Sequence, residues 1–334
     1  MFTADGVSIF QNSEDIFRKY ELIDLDRTPQ NFGELDHKKT DFMPTYKWVK
    51  SRIKKTSKPK IIIHKKGEIF GLVTFKEHIL DKILEDNLGK EIILIFNDYQ
   101  KFDLPVKLVY DLSWWSDVLS QNSKNINKIK NIKNVKRTKL FLSRNNKEKE
   151  YRVKWIEFLE NHDLKKDGYV SEVWNKIYIE KNLPSDINID GEINYDWTYN
   201  NDFNLFDNYQ NVFCEVITES GVSTPTFGHW TSEKTWRPFL FGVIPMIITF
   251  KDWDFYLKDA GFDLFEDVID TSFYHTTNLH QKFMIIKENF KIIQNELTEN
   301  GRFRADIFQR LKNNQNHFMN HDNYVRYLKK RKNG

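Results

Sequence analysis

Two rhythms of apolar and polar residues alternate along the chain. Short, almost unbroken apolar runs stand at Lys60–His64 (KIIIH), Glu91–Phe96 (EIILIF), Val106–Tyr110, Lys139–Ser143 (KLFLS), Asn211–Thr218 (NVFCEVIT) and Val243–Thr249 (VIPMIIT). Runs of this length, rich in β-branched residues, predict strands buried on both faces. Between them apolar residues return at helical spacing. Phe75–Asn87 carries Ile79, Leu80, Ile83 and Leu84, with Asn87 and Gly89 as stop signals. Lys149–Asn161 turns Val153, Ile156, Phe158 and Leu159 inward, and Gly168–Ser171 leads back toward the sheet. Ser232–Phe241 reads as a helix behind a Thr/Ser cap, with Gly242 just past its end. Trp253–Ala260 predicts a short helix closed by Gly261, Thr277–Asn300 a long amphipathic helix, and Ala305–Lys330 a last helical stretch. Residues 1–57 are mixed and polar, and predict short helices or strands that decorate the first domain.

Strands alternating with helices imply parallel sheets covered on both faces. A chain of 334 residues exceeds what one core usually serves, at roughly 150 residues per domain. The alternation breaks at residues 120–139, where Lys124, Lys128, Lys130, Lys133, Lys136, Arg137 and Lys139 meet no acidic residue. This stretch reads as a seam. The expected organisation is a first α/β domain at 1–135, a second at 136–304, and a C-terminal helix at 305–334 that packs back across them. The expected fold class is α/β, with two Rossmann-like domains and parallel sheets. Ligands of such folds sit at the carboxyl ends of the strands, here in the cleft between the domains.

Composition narrows the chemistry. The formal net charge is only +3, and hydrophobic residues make up 40% of the chain. Cys214 is the single cysteine, so neither an internal disulfide nor a cysteine zinc site is expected. The nine histidines form no H-E-x-x-H pattern. The first residues show no basic and apolar leader. The longest apolar stretch, Phe239–Phe250, is interrupted by Pro245 and falls short of the roughly 20 residues of a membrane span. A cytoplasmic protein without a membrane span is the expectation.

The richest stretch is Val216–Trp236 (VITESGVSTPTFGHWTSEKTW). A strand ends, a loop of Gly, Ser, Thr and Pro comes next, and a helix opens at Thr231-Ser232-Glu233-Lys234. Free backbone N–H groups at such a junction favour a phosphate. Lys234 adds a point charge, and Glu233 can accept from ribose hydroxyls. The plainer reading is an N-capped helix with a solvated Glu-Lys pair.

A longer string supports the first reading. Thr231-Ser232-Glu233-Lys234-Thr235-Trp236-Arg237-Pro238, Gly242-Val243-Ile244-Pro245, Gly261-Phe262 with Phe265, and Ile269-Asp270 with Tyr274 together resemble a family of glycosyltransferase-like proteins common in phage genomes. The Glu-Lys pair is also similar to that of alpha-1,3-fucosyltransferases, and exostosin-like transferases look alike. The resemblance covers roughly residues 137–300. It implies a GT-B fold of two facing Rossmann-like domains, donor in the second and acceptor in the first, with no essential metal. It implies that Glu233 holds the donor ribose, Lys234 the donor phosphates, and Arg144, just after the strand KLFLS, a further phosphate; the next helix, with Arg152, fits the same layout. The donor set expected on this reading is Arg144, Arg152, Glu219, Trp230, Thr231, Ser232, Glu233 and Lys234. The loop SGVSTPTFGHW is longer and richer in Gly than the family pattern, a departure that bears on the sugar contacts.

An inverting transfer needs a base for the acceptor proton, a retaining one does not, and the sequence leaves both outcomes open. The candidates at strand ends are His64, Asp98 and Asp111, each with an alternative part in a turn or cap. Trp114 and Trp115 are candidates to stack on the acceptor, Trp230 and Trp236 to stack on a ring, and core packing is the other use of each. Asp252-Trp253-Asp254 has the form of a metal-binding D-x-D, but its place at the start of a helix suits capping, so no metal is expected. The basic stretches Lys47–Lys66 and Lys124–Lys139 either track a phosphate backbone or form solvated faces. The expected activity is sugar transfer from a nucleotide-diphosphate sugar to a hydroxymethylated pyrimidine in double-stranded DNA, a base that has to be extruded to be reached. The alternatives are transfer to a cell-surface glycan or lipopolysaccharide, and a non-catalytic DNA-binding protein on the same scaffold.

Overall fold

The computed structural model of the chain describes residues 20–25, 41–55, 57–64, 75–86, 88, 92–96, 106–110, 115, 118–119, 126–145, 148–175, 206–219, 232–320, 322–324, 326–327 and 330. These fall into two compact units. The first takes in the described residues up to Trp115 and those from Tyr324 onward, the second those from Val118 to Asn323. The division thus precedes the basic stretch, and Ala305–Met319 lies within the second unit while the helical residues from Tyr324 onward belong to the first.

In the first unit, β1 (Glu21–Asp24), β2 (Lys60–His64), β3 (Ile92–Phe96) and β4 (Lys107–Tyr110) form a parallel four-stranded sheet in chain order. Between β1 and β2 runs α1 (Met43–Lys55), which buries Tyr46, Val49 and Ile53. The segment before β3 begins with a π turn at Lys76–Leu80 and continues as α2 (Asp81–Glu85). Ile79, Leu80 and Ile83 of this segment share one core with Val49, Ile62 and Leu94. Trp115 is fully buried and packs on Tyr324, ring centres 5.7 Å apart.

The second unit opens with α3 (Ile126–Lys130) and β5 (Lys139–Asn145), followed by α4 (Glu150–Asn161), β6 (Gly168–Glu172), α5 (Phe206–Gln210) and β7 (Val212–Thr218). A 3-10 turn at Glu233–Trp236 leads into α6 (Arg237–Phe241), β8 (Ile244–Ile248) and α7 (Asp254–Asp259). Then come α8 (Leu279–Ile292), the hairpin of β9 (Thr298–Glu299) and β10 (Arg302–Phe303), and α9 (Ala305–Met319). Its sheet is parallel throughout, in the order β6-β5-β7-β8. All seven side chains of β7 and all five of β8 are buried, as expected of strands covered on both faces. On one face Phe141 of β5 stacks on Phe290 of α8 at 4.8 Å, and Trp155 of α4 donates to Ser143 Oγ at 3.0 Å. On the other, Tyr209 of α5 stacks on Phe241 of α6 at 4.2 Å, and Gln315 of α9 donates to Leu240 O at 2.7 Å.

Several expectations shift. β5 runs two residues beyond Ser143, so Arg144 lies inside the strand instead of after it. In α4 the buried positions include Tyr151, Arg152 and Trp155, while Val153 is only half-buried. The expected helix at Ser232–Phe241 is a 3-10 turn and a short α-helix, since Pro238 supplies no N–H and fits the first turn of a new helix. The long helix ends earlier than Asn300, in a π turn at Ile293–Leu297, and the chain then reverses through Asn300-Gly301. Both turn residues have positive φ, 52° and 74°, the geometry of a two-residue hairpin loop that Asn-Gly favours. α9 stops at Met319 with Asn320 extended behind it, and residues 322–324, 326–327 and 330 are helical again.

Gly242 ends α6 in the left-handed conformation, at φ 66°. A Cβ here would also collide with Ile132 Cδ1. Gly242→Ala is expected to cost about 2 kcal/mol or more, read as a lower urea midpoint for unfolding of the second unit.

Candidate functional site

In the second unit the chain leaves β5 for β6 on one side and returns to β7 on the other. The order reverses between β5 and β7, and ligands of open parallel sheets bind outside the carboxyl ends at such a point. Those ends carry Arg144 and Asn145 on β5, Ser171 and Glu172 on β6, and Thr218 followed by Glu219 on β7.

Toward α4 the strand ends are polar, buried and hydrogen-bonded. Thr218 Oγ1 donates to Asn145 Oδ1 at 2.9 Å, Asn145 Nδ2 donates to Ser171 O at 3.2 Å, and Asn145 N donates to Ser171 Oγ at 3.1 Å. The buried guanidinium of Arg152 donates twice to Thr218 O, at 3.0 and 3.3 Å. Its contacts are those of a brace between α4 and the end of β7.

Toward α6, Arg144 pairs with Glu215 at 3.2 Å and donates to Tyr209 Oη at 3.0 Å, while Tyr209 donates to Glu215 Oε2 at 2.8 Å. Burial pushes the Glu215 carboxyl up, against the pull of Arg144 and Arg237. The Arg144 charge is therefore engaged by a buried carboxylate; the family resemblance implied a phosphate at this position.

Glu219 is fully buried and fastens the next segment. Its backbone N–H donates to Ile248 O at 3.0 Å, which continues the β7–β8 ladder. Its carboxylate accepts from Ser232 N at 3.1 Å, from Ser232 Oγ at 2.9 Å and from Thr235 Oγ1 at 2.7 Å. Ser232 is extended, and its Oγ in turn caps Lys234 N at 3.3 Å. The clamp fixes the main chain at Glu233-Lys234 beside the end of β7. Lys234 is half-buried there. Charge on Lys234 and local N–H groups have to supply any anion affinity, because a turn of four residues and a helix of five carry little macrodipole.

Of the other expected site residues, Trp230 and Thr231 lie outside the described residues, as do Asp98, Asp111 and Trp114. Glu233 is described in its backbone alone, and so is His64, the last residue of β2. Trp115 and Trp236 are core residues; Trp236 is fully buried, 5.7 Å from Phe262 and 6.0 Å from Phe318.

The D-x-D segment forms a second polar cluster, beyond β8. Asp252 has φ 62° and does not cap α7, whose N-cap is Trp253. Asp252 Oδ1 instead meets His275 Nδ1 at 2.9 Å, and buried Asp254 pairs with Lys258 at 2.7 Å. Buried Lys282 donates to Phe273 O at 2.6 Å, and burial lowers its ammonium to about 8 although Asp252 and Asp254 oppose the shift. No described group of three or more His, Cys, Asp or Glu side chains has the geometry of a metal site. No helix among the described residues is long and apolar enough to cross a membrane.

The chain matches no protein-family model, no curated protein and no solved structure.

Two measurements probe these clusters. Glu219→Ala leaves three buried donors without their acceptor, and is expected to destabilise the second unit by about 3 kcal/mol, with Glu219→Gln recovering part of the loss in urea titrations. Lys282 releases its proton more easily folded than unfolded, so between pH 8 and 10.5 the unfolded chain binds more protons. Stability of the wild type relative to Lys282→Met is therefore expected to rise with pH across that window, by about 3 kcal/mol in total, in unfolding curves taken at fixed ionic strength.

Proposed function

We propose that the chain is a glycosyltransferase of GT-B type that binds a nucleotide-diphosphate sugar at the switch point of its second sheet. The observation that carries this reading is the Glu219 clamp. It holds the Ser232–Thr235 turn, and with it Glu233 and Lys234, at the carboxyl end of a central parallel strand, where open α/β sheets bind nucleotides. A ligand with a ribose and two phosphates suits an acidic and a basic residue placed side by side. The resemblance of the surrounding sequence to phage glycosyltransferases points to the same chemistry.

In the proposed reaction an acceptor hydroxyl attacks the anomeric carbon of the donor sugar. The new glycosidic bond forms as the bond from that carbon to the diphosphate breaks. The nucleoside diphosphate leaves with the bonding electron pair, and the Lys234 ammonium stabilises the charge that gathers on it. The acceptor proton passes to a base, for which His64, Asp98 and Asp111 of the first unit are the candidates. Arg144, Arg152 and Glu219 are positioning residues in this scheme: their polar atoms brace strand ends and the turn. The acceptor proposed is a hydroxymethylated pyrimidine of duplex DNA, held by the first unit.

The test is a thermal-shift screen of nucleotide-diphosphate sugars on the wild type, Glu233→Ala and Lys234→Ala. A donor present at 100 times its dissociation constant stabilises by about 2.7 kcal/mol, a shift of roughly 2–4 °C for units of this size. The expected result is one donor class that shifts the wild type and neither variant. If no donor shifts the wild type at millimolar concentration, the transferase reading fails.

A further inference from the structure

One face of α1 in the first unit is strongly basic. The helix Met43–Lys55 contains Lys47, Lys50, Arg52, Lys54 and Lys55, and no acidic residue. At 100° per residue, Lys47, Lys50, Lys54 and Lys55 fall within one arc of about 140°. The opposite arc holds Thr45, Tyr46, Val49 and Ile53, all buried. Lys47, Lys54 and Lys55 are exposed, and so is Lys58 just past the helix. Among the described residues one carboxylate answers this face: Asp86 pairs with Lys50 and accepts from Tyr46. No described carboxylate forms an ion pair with Lys47, Lys54, Lys55 or Lys58. At the rim Arg52 lies over the Trp48 ring, 5.3 Å from its centre.

We propose that this face of α1 is a docking surface for the phosphate backbone of double-helical nucleic acid. Three exposed lysines on one helix face, Lys47, Lys54 and Lys55, with no ion-pair partner among the described residues, cost the folded state self-repulsion, which a polyanion relieves. Lys47 and Lys54 are two helical turns, about 10 Å, apart. That distance matches the axial rise of about three base-pair steps, at about 3.4 Å each. The face suits a polyanion better than a bilayer. An interfacial helix needs an apolar side to sink into lipid, and the apolar side of α1 is spent on the core of the unit. The inference rests on the proposed function for its choice of DNA, and would give the acceptor duplex its hold.

The test is fluorescence anisotropy of the full chain with an unmodified 20-base-pair duplex, without nucleotide sugar, at several salt concentrations. Each lysine that neutralises a phosphate contributes about 0.9 to the slope of log affinity against log salt. The expected result is salt-dependent binding by the wild type, a slope shallower by about 2–3 in K47Q/K54Q/K55Q, and affinity lower by more than tenfold at low salt. Asp86→Asn releases Lys50 and is expected to change binding in the opposite direction, so a poorly folded triple variant does not decide the matter. An unchanged slope in the triple variant, no binding by the wild type, or binding to phosphatidylserine vesicles in place of the duplex overturns the proposal. Loss of DNA binding in the triple variant with no donor shift removes the transferase reading alone; a donor shift with an unchanged salt slope removes this inference alone.

Discussion

A buried carboxylate has to be surrounded by donors, and much of the second unit is arranged around that demand. Desolvating a charge costs several kcal/mol, so Glu219 at the end of β7 is tolerable only with Ser232 and Thr235 in place. The demand ties together segments far apart in sequence. It fixes Ser232 beside the end of β7, and so where the 3-10 turn stands against the sheet. The same rule operates one strand over, where Arg144, Tyr209 and Glu215 satisfy one another. It is met only in part beyond β8, where buried Asp254 has the Lys258 ammonium as its ion-pair partner. Each network rests on a strand or on the loop leaving it, and none is replaceable by half of itself.

These networks assign different duties to residues of the same type. Arg152 is spent on a carbonyl, Arg144 on a carboxylate, and Lys282 on a carbonyl under a burial that loosens its proton. Cys214 is likewise inert: it is buried in β7, and burial pushes its thiol up. Lys234, at the mouth of the switch point, is only half-buried. Charge type in the sequence did not separate these cases, whereas burial and partner geometry do.

Legibility in the sequence divides along the same line. The strands Lys60–His64, Ile92–Phe96, Val212–Thr218 and Ile244–Ile248 stood out because a parallel strand is apolar on both faces, and that pattern is local. The cap at Ser232 and the stops at Gly242 and Gly261 are equally local. The Asn300-Gly301 reversal carried a readable turn signal, masked by the helical spacing of the residues before it. Illegible were the features that depend on a distant partner. Arg144 could not be assigned to Glu215, 71 positions away, from its own surroundings. The clamp from Glu219 to Ser232 joins residues 13 positions apart without any period to betray it.

The place of Tyr324 has a consequence for the birth of the protein. Trp115, near the end of the first stretch of the first unit, closes against a ring made only after the whole second unit has been translated. At about 5–20 residues per second, this ring contact forms on the order of ten seconds or more after Trp115 has been made. The first unit therefore gains one of its aromatic contacts only once the second has been translated, and the timing of that contact is set by the ribosome.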